Sequence, residues 1–222
     1  SNMTIVSVGG ATEENICEII NRQFGSLQSS GNNRPPRVIS KDVPLPLCNE
    51  MVVSVGSVTR SAISSYALMP VFVSSSIVAI VDEMLSKSVF EDVRQKRHLA
   101  YSATASATLW NNCMEVKISA TGVSPDAEPV VRACFLEDIQ RVVSDRNLFE
   151  QAQQYLIARK SMIDPNGNSF RSNAGEDIAY FGRVISLTEE VAELKNVTHD
   201  DIRSLVDLWL VPERFLTLVT KP

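Results

Sequence analysis

Two side chains with hydrogen-bonding chemistry, Arg94 and Tyr101, lie seven residues apart in the stretch Leu85–Gly122. The pattern predicts a short helix that presents Arg94 and a turn that presents Tyr101 at the root of a hairpin. A guanidinium and a phenol can both donate hydrogen bonds to carbonyl or carboxylate oxygens. Taken alone, the residues favour a plainer interpretation, in which Arg94 pairs with Glu91 or Asp92 and Tyr101 belongs to the hairpin core.

Other catalytic chemistry has little support in the sequence. The chain contains only two histidines, His98 and His199, and neither has a second histidine within a helical turn, so no zinc site is predicted. There is no Gly-x-Ser-x-Gly elbow for a serine nucleophile. The chain is therefore expected to hold neither a metal-activated water nor a nucleophile of its own.

The cysteines also lack a reactive arrangement. Cys17, Cys48, Cys113 and Cys134 are scattered, without the close spacing of a zinc knuckle, and no motif supplies Cys113 with a histidine partner. A chain of 222 residues can bury a core without cross-links. We expect small buried or semi-buried thiols and no structural disulfide.

A hairpin and a set of helices must position Arg94 and Tyr101. Residues 102–109 alternate Ser or Thr with Ala or Leu, and residues 114–120 alternate apolar with polar side chains, which predicts a β-hairpin with one apolar face. Asn147 with Glu150 predicts a capping box, Thr198 predicts a helix cap, and residues 61–73 are ambiguous. Further strands are predicted over residues 3–8, 51–58 and 215–220, and helices over residues 12–24, 75–85, from 126, 147–163, 169–185, 188–194 and after 198.

One family shares this order of elements. The chain resembles the C-terminal half of the inverse-motif zinc peptidases of the insulinase and pitrilysin type, through Phe90, Arg94, Leu99, Ala100 and Tyr101. Within this family it is similar to the bacterial peptidases that are related to the mitochondrial processing peptidase. The resemblance implies an α+β fold, with a mixed, mainly antiparallel sheet and helices packed largely on one face. It also implies substrate-binding roles: Arg94 and Tyr101 would reach across a cleft to hold the peptide backbone and the carbonyl under attack.

The resemblance implies that the zinc ion of the peptidase is bound outside this chain. The family's His-x-x-Glu-His motif is absent, so no cofactor is expected on this chain, and zinc is expected on a partner, either an N-terminal half or a sister subunit. The chain would then be a non-catalytic part of a zinc metalloendopeptidase that acts on peptides. The alternatives are a non-catalytic scaffold or partner subunit of the same family and an α+β binding module unrelated to peptidases. His98 and the segment Leu85-Ser-Lys-Ser-Val depart from the family pattern.

The resemblance also suggests a domain organisation. Residues 1–27 match the strand–helix tail of a preceding homologous domain, residues 28–48 a proline-containing linker, and residues 49–222 the next domain. In the alternative arrangement, the first strand and helix pack onto the sheet of residues 49–222. The isolated domain could form a homodimer through its exposed cleft-side surface.

Composition excludes two classes of partner. The net charge is −5, and the basic side chains are not clustered beyond residues 94–97, which argues against nucleic-acid binding. No apolar run reaches the roughly 18 to 20 residues that span a bilayer. Together with the resemblance to bacterial peptidases, this implies a soluble protein of the bacterial cytoplasm or periplasm.

Overall fold

A computed structural model of the chain describes residues 5, 7, 11–27, 46, 48–70, 74–109, 113–164, 173–175, 177, 178 and 182–222. The chain divides into two compact units, Ser1–Arg37 with Ala158–Val191, and Val38–Ile157 with Ala192–Pro222. The predicted strand at residues 3–8 and the predicted linker at residues 28–48 lie almost entirely outside the described residues. The division at residues 27 and 48 therefore stays a prediction.

The described helices and strands follow the predicted order closely. The helices are α1 (Glu13–Phe24), α2 (Ser75–Val89), α3 (Glu128–Ser144), α4 (Arg146–Ser161), α5 (Leu187–Asn196) and α6 (His199–Trp209). The strands are β1 (Glu50–Ser54), β2 (Ser61–Pro70), β3 (Ser102–Leu109), β4 (Cys113–Val123) and β5 (Phe215–Lys221). A π-helical segment, Phe90–Lys96, continues α2.

The described strands form one sheet in the order β1-β5-β2-β4-β3. Strand β1 runs parallel to β5, and the other neighbours pair antiparallel. The predicted hairpin is confirmed as β3 and β4, with Ala103 opposite Ala120 and Ala105 opposite Ile118. The predicted α+β fold with a mixed, mainly antiparallel sheet is therefore confirmed.

One face of the sheet is apolar and covered by helices. Along β4, buried residues alternate with residues that are only partly buried, which is the period of two expected of a strand with one covered face. Helices α2, α3 and α6 contact the sheet and share its core. Fully burying a side chain such as Ile63, Ile80 or Met84 contributes about 1.5–3 kcal/mol, so this layer holds the sheet in place.

The helix starts test the predicted caps. Thr198 caps α6 as predicted, since its hydroxyl accepts the N–H of Asp201 and the Asp201 carboxylate accepts the N–H of Thr198. The predicted capping box at Asn147 is wrong, because α4 has already begun at Arg146. Its cap is Asp145, whose Oδ1 accepts the N–H of Leu148 at 2.9 Å. The helix therefore begins about two residues earlier than predicted.

Three other boundaries differ from the predictions. Strand β1, predicted over residues 51–58, ends at Ser54, and the ambiguous segment 61–73 contains β2. The predicted helix over residues 169–185 is helical at 173–175, 177 and 178, but residues 182–186 are not helical. Gly182 has φ +74°, in the left-handed region that favours glycine, and donates its N–H to the carbonyl of Ile178 at 3.1 Å.

The four cysteines differ in how far they are exposed. All four cysteines are free. Cys134 is buried and Cys113 half-buried, whereas Cys17 and Cys48 are exposed, contrary to the expectation of burial.

In the described part of the chain, no helix combines the length and the apolarity needed to cross a lipid bilayer.

Candidate functional site

The π-helical segment Phe90–Lys96 turns the end of α2 toward the surface. The N–H of Arg97 bonds to the carbonyl of Asp92 at 3.0 Å, five residues back, as in a π-helix. This winding buries Val93 completely and leaves Arg94 exposed. Helix α2 thereby both fills the core and presents a guanidinium at the surface.

A left-handed residue closes the segment. His98 has φ +52°, and the N–H of Leu99 bonds to the carbonyl of Val93 at 2.9 Å, which is the pattern of a helix-ending turn. The chain then reverses into β3, with Tyr101 immediately before the strand. This turn brings Tyr101 close to Arg94.

Gly122 supports Tyr101 from the neighbouring strand. The N–H of Tyr101 bonds to the carbonyl of Thr121 at 2.9 Å. Gly122 has φ +72°, and a Cβ placed on it would lie 2.7 Å from the Cβ of Tyr101. Only glycine fits this backbone conformation and this close approach without displacement. Tyr101 is 79% exposed, so the interpretation of Tyr101 as a hairpin core residue is wrong.

The structure brings the two predicted site residues together. The Cζ of Arg94 lies 5.2 Å from the ring centroid of Phe90 and 5.9 Å from the ring centroid of Tyr101. Both distances are within the range of a cation–π contact, which restricts the guanidinium without using its donors. Arg94 and Tyr101 therefore form one exposed pair of hydrogen-bond donors, named the Arg–Tyr pair below.

The carboxylates on the same segment have other partners. Glu91 pairs with Lys96 at 3.9 Å, and Asp92 pairs with Arg97 at 3.1 Å. In the described part of the chain, neither carboxylate pairs with Arg94, so the interpretation of Arg94 as half of a local ion pair is wrong. The Arg94 guanidinium keeps its donors available for a ligand.

A second cluster lies beneath this surface, and its chemistry is structural. Ligand atoms of Asp92, Cys134 and Glu137 lie within 4.8 Å of one another, the one arrangement among the described residues that could hold a metal ion. Arg97 donates to Asp92 at 3.2 Å and to Glu137 at 2.6 Å, so its guanidinium already balances both charges. Burial raises the pKa of the Cys134 thiol to about 11, which disfavours the thiolate that a metal needs.

Asp138 is a buried acid next to this cluster. Its Oδ1 accepts the hydroxyl of Ser88 at 2.6 Å, and Arg141 donates to that hydroxyl at 3.4 Å. Burial, reinforced by the charge of Asp92, raises the pKa of Asp138 to about 6. The helix layer that supports the Arg–Tyr pair thus contains a carboxyl group that titrates in mildly acidic solution.

The histidines do not form a metal site. His98 is exposed at the left-handed turn. The His199 ring lies 5.4 Å from the ring of Phe149 and its Nε2 is 3.3 Å from the carbonyl of Val142, which are packing contacts of α6. The residues present do not fit the family's zinc ligand set.

Asp82 supports strand β3, a role that almost nothing in the sequence predicted. Oδ1 of Asp82 accepts the N–H of Ala107 at 2.7 Å, so a side chain of α2 satisfies a backbone donor of β3. The only hint was the pair of acidic residues Asp82 and Glu83 within the apolar run 77–85. Its partner, 25 residues away in the chain, could not be inferred from local pattern.

Comparisons with known proteins address the family and the fold. Residues 1–156 match the family model described as the peptidase M16 inactive domain. No curated protein matches the sequence.

Solved structures share the fold at low sequence identity. A protease from Helicobacter pylori aligns with a TM-score of 0.78 and 14% identity over 97% of this chain and 54% of its own. The periplasmic protease PqqL from Escherichia coli gives 0.70 and 16% over 96% of this chain and 24% of its own. A peptidase M16 inactive domain from Pseudomonas fluorescens gives 0.64 and 12% over 78% and 43%. The chain thus spans about half the length of these solved chains or less.

Proposed function

The chain belongs to the M16 peptidase family as an inactive domain, and on that premise we propose that it is the substrate-clamping half of a zinc peptidase. In this proposal Arg94 and Tyr101 hold the peptide, while zinc and the general base lie on an N-terminal half or a sister subunit. The Arg–Tyr pair is the observation that carries the proposal, since it puts two free donors side by side on an exposed surface.

The scaffold under the pair supports a binding role. Val93 anchors the π-helical segment in the core, and Gly122 lets the backbone of Tyr101 lie close to β4. A backbone held in this way keeps the two side chains near each other before a ligand binds, which favours affinity and orientation.

Each residue would act on a different part of the peptide. The phenol of Tyr101 would donate a hydrogen bond to the scissile carbonyl as negative charge develops on its oxygen. A positioned donor of that kind is worth on the order of 3 kcal/mol in the transition state. Arg94 would hold a neighbouring peptide carbonyl or a carboxylate, which fixes the register of the substrate. No step of water activation is assigned to this chain.

A non-catalytic scaffold is the second candidate. It is favoured by the match to a domain described as inactive and by His98 and residues 85–89, which depart from the family pattern. In that case the chain would bind its sister half and leave the Arg–Tyr pair without a role in turnover.

A reconstitution assay separates the two candidates. A quenched peptide library with zinc is added to this chain alone and to its mixture with the zinc-bearing half, using wild type, Arg94→Ala and Tyr101→Phe. Tyr155→Phe, also an exposed tyrosine, is the matched control. Activity only in the mixture, reduced at least about 100-fold by both site variants and unchanged by the control, supports clamping. Full activity in both site variants contradicts it.

A further inference from the structure

Asp138 is a buried acid beside the end of helix α2. It lies on α3 with only 2% of its surface exposed, and its Oδ1 accepts the hydroxyl of Ser88, in the last turn of α2, at 2.6 Å. Its Oδ2 is buried and has no hydrogen-bond donor among the described residues. An ionised Asp138 therefore carries charge in the core on an oxygen without a donor, which is unfavourable.

The π-helical segment Phe90–Lys96 brings a second carboxylate to the same region. Asp92 has a buried Oδ2 that accepts no hydrogen bond from the described residues, although the Nε of Arg97 lies 3.1 Å away as an ion-pair partner. The segment packs against α3, and the charge of Asp92 acts on Asp138 across this contact. Like charges repel strongly where water is excluded, so ionisation of Asp138 opposes the packing of the segment on α3.

Charged and titratable groups lie on each of the elements around Asp138. They are Lys87 on α2, Asp92 and Arg97 on the π-helical segment, Cys134, Glu137 and Arg141 on α3, and His199 on α6. Burial and the charge of Asp92 together outweigh the Ser88 hydrogen bond and the two guanidinium groups, so the pKa of Asp138 rises to about 6. Asp138 therefore takes up and releases its proton in mildly acidic solution.

The segment Phe90–Lys96 is suited to local opening. A single residue of its seven, Val93, is buried, so few apolar contacts hold it in place. A π-helical run of this length is also unusual, because this winding mostly occurs as a single-turn bulge. The segment ends before the left-handed turn at His98, which has φ +52°. Opening of the segment would change the position of Arg94 relative to Tyr101.

We propose that Asp138 is a pH-sensitive latch, which holds the segment Phe90–Lys96 on α3 while its carboxyl group is protonated. The ionised carboxylate repels Asp92, so the segment opens locally more often as pH rises. Where the Arg–Tyr pair holds a peptide, opening separates Arg94 from Tyr101 and weakens that hold, so a lower pH tightens the clamp. This effect on peptide binding rests on the proposed function, whereas the latch itself does not.

Native-state hydrogen exchange of the 222-residue chain measures the opening. The amides of Arg97 and Leu99 report on the segment, because their hydrogen bonds close it, and the amide of Val116 on β4 reports on global unfolding. The closed segment holds the Asp138 proton over a pH range in which the open one releases it. Opening constants of the segment, corrected for intrinsic exchange, should therefore rise at least about ten-fold between about pH 4 and about pH 7.5. They should exceed the opening constant of Val116, and equal constants at every pH would overturn the latch.

Two variants assign the pH dependence to Asp138. Asp138→Asn keeps an acceptor for the Ser88 hydroxyl but carries no charge, so its opening constants should change less than about two-fold over the same pH range. Ser88→Ala removes a hydrogen bond that lowers the pKa of Asp138, so the rise should move to higher pH by roughly half a unit or more. The exposed control Asp126→Asn should follow wild type. A ten-fold rise that persists in Asp138→Asn would contradict the proposal.

His98 is a second group near the segment that can take up a proton. His98→Asn removes this proton site and keeps a residue that tolerates a positive φ, so the rise in opening should persist in it. Loss of the pH dependence in His98→Asn would assign the effect to the imidazole and overturn the latch. Exchange reports the opening whether or not Arg94 binds a peptide, so failure of the latch is distinguishable from failure of the clamp.

Discussion

The two edges of the sheet differ in how their backbone groups are covered. At the β3 edge, α2 packs against the strand, Asp82 accepts the N–H of Ala107, and Ala103 and Ala105 are buried. At the β1 edge, every residue is exposed and the outer backbone groups have no described partner. A covered edge makes a rigid support for exposed donors, whereas an open edge is suited to pairing with another chain.

The largest effect is expected from closing the space beside Tyr101. Gly122→Ala places a methyl group 2.7 Å from the Cβ of Tyr101 at a positive φ, so it should lower the free energy of unfolding by about 3 kcal/mol. Urea denaturation measures the change. Gly56→Ala is the control, because nothing lies within 4 Å of a Cβ placed there. Equal stability of the two variants would show that the β3 edge does not depend on this contact.

A smaller effect, dependent on pH, is expected under the β3 edge. The pKa of Asp138 is about 6 when folded and 3.8 for an unperturbed aspartate, so the folded state binds more protons between these values. Stability should therefore fall as pH rises from about 4 to about 6. Asp138→Asn can still accept the Ser88 hydroxyl and should raise the free energy of unfolding at pH 7.5 by about 2 kcal/mol, with little gain at pH 4.

Unfolding in urea at several pH values measures this difference. Asp126→Asn, on the 3₁₀ turn before α3, serves as an exposed control and should shift stability by less than about 0.5 kcal/mol at every pH. A stability curve of Asp138→Asn that runs parallel to that of wild type would contradict the assignment of the titration to Asp138.

Removing the carboxylate of Asp82, which covers a backbone donor of β3, should make the two edges of the sheet more alike. Asp82→Ala leaves the N–H of Ala107 without its acceptor, so a loss of about 1.5 kcal/mol and faster amide exchange at Ala107 are expected. Glu83→Ala, the adjacent acidic residue on the same helix, is the control. Unchanged exchange at Ala107 would mean that Asp82 does not protect this edge.

The smallest effect concerns the turn between Arg94 and Tyr101. His98 adopts φ +52°, which glycine adopts without strain, so His98→Gly should stabilise the fold by about 0.5 kcal/mol. Thermal unfolding measures the gain, with His199→Gly, at the first position of α6 and packed against Phe149, as a destabilising comparison. A loss of stability in His98→Gly would show that the imidazole contributes more than the backbone strain costs.

The sequence predicts those features that depend on local pattern. The alternation over residues 102–109 and 114–120 predicted the hairpin, and the Thr198 cap was correct because its partner Asp201 lies three residues away. The bond between Asp82 and Ala107 and the burial of Asp138 against Ser88 join residues distant in the chain, so no local signal specified them. The open β1 edge was missed for the same reason, since exposure depends on which helices cover each strand.

The most direct test of the clamp is the kinetics of Tyr101→Phe in the reconstituted two-half enzyme. If the phenol donates to the developing oxyanion, kcat should fall about 100-fold while KM stays within about two-fold of wild type, because the hydrogen bond strengthens only in the transition state. An unchanged kcat, or a loss confined to KM, would contradict the assignment of Tyr101 to the reacting carbonyl.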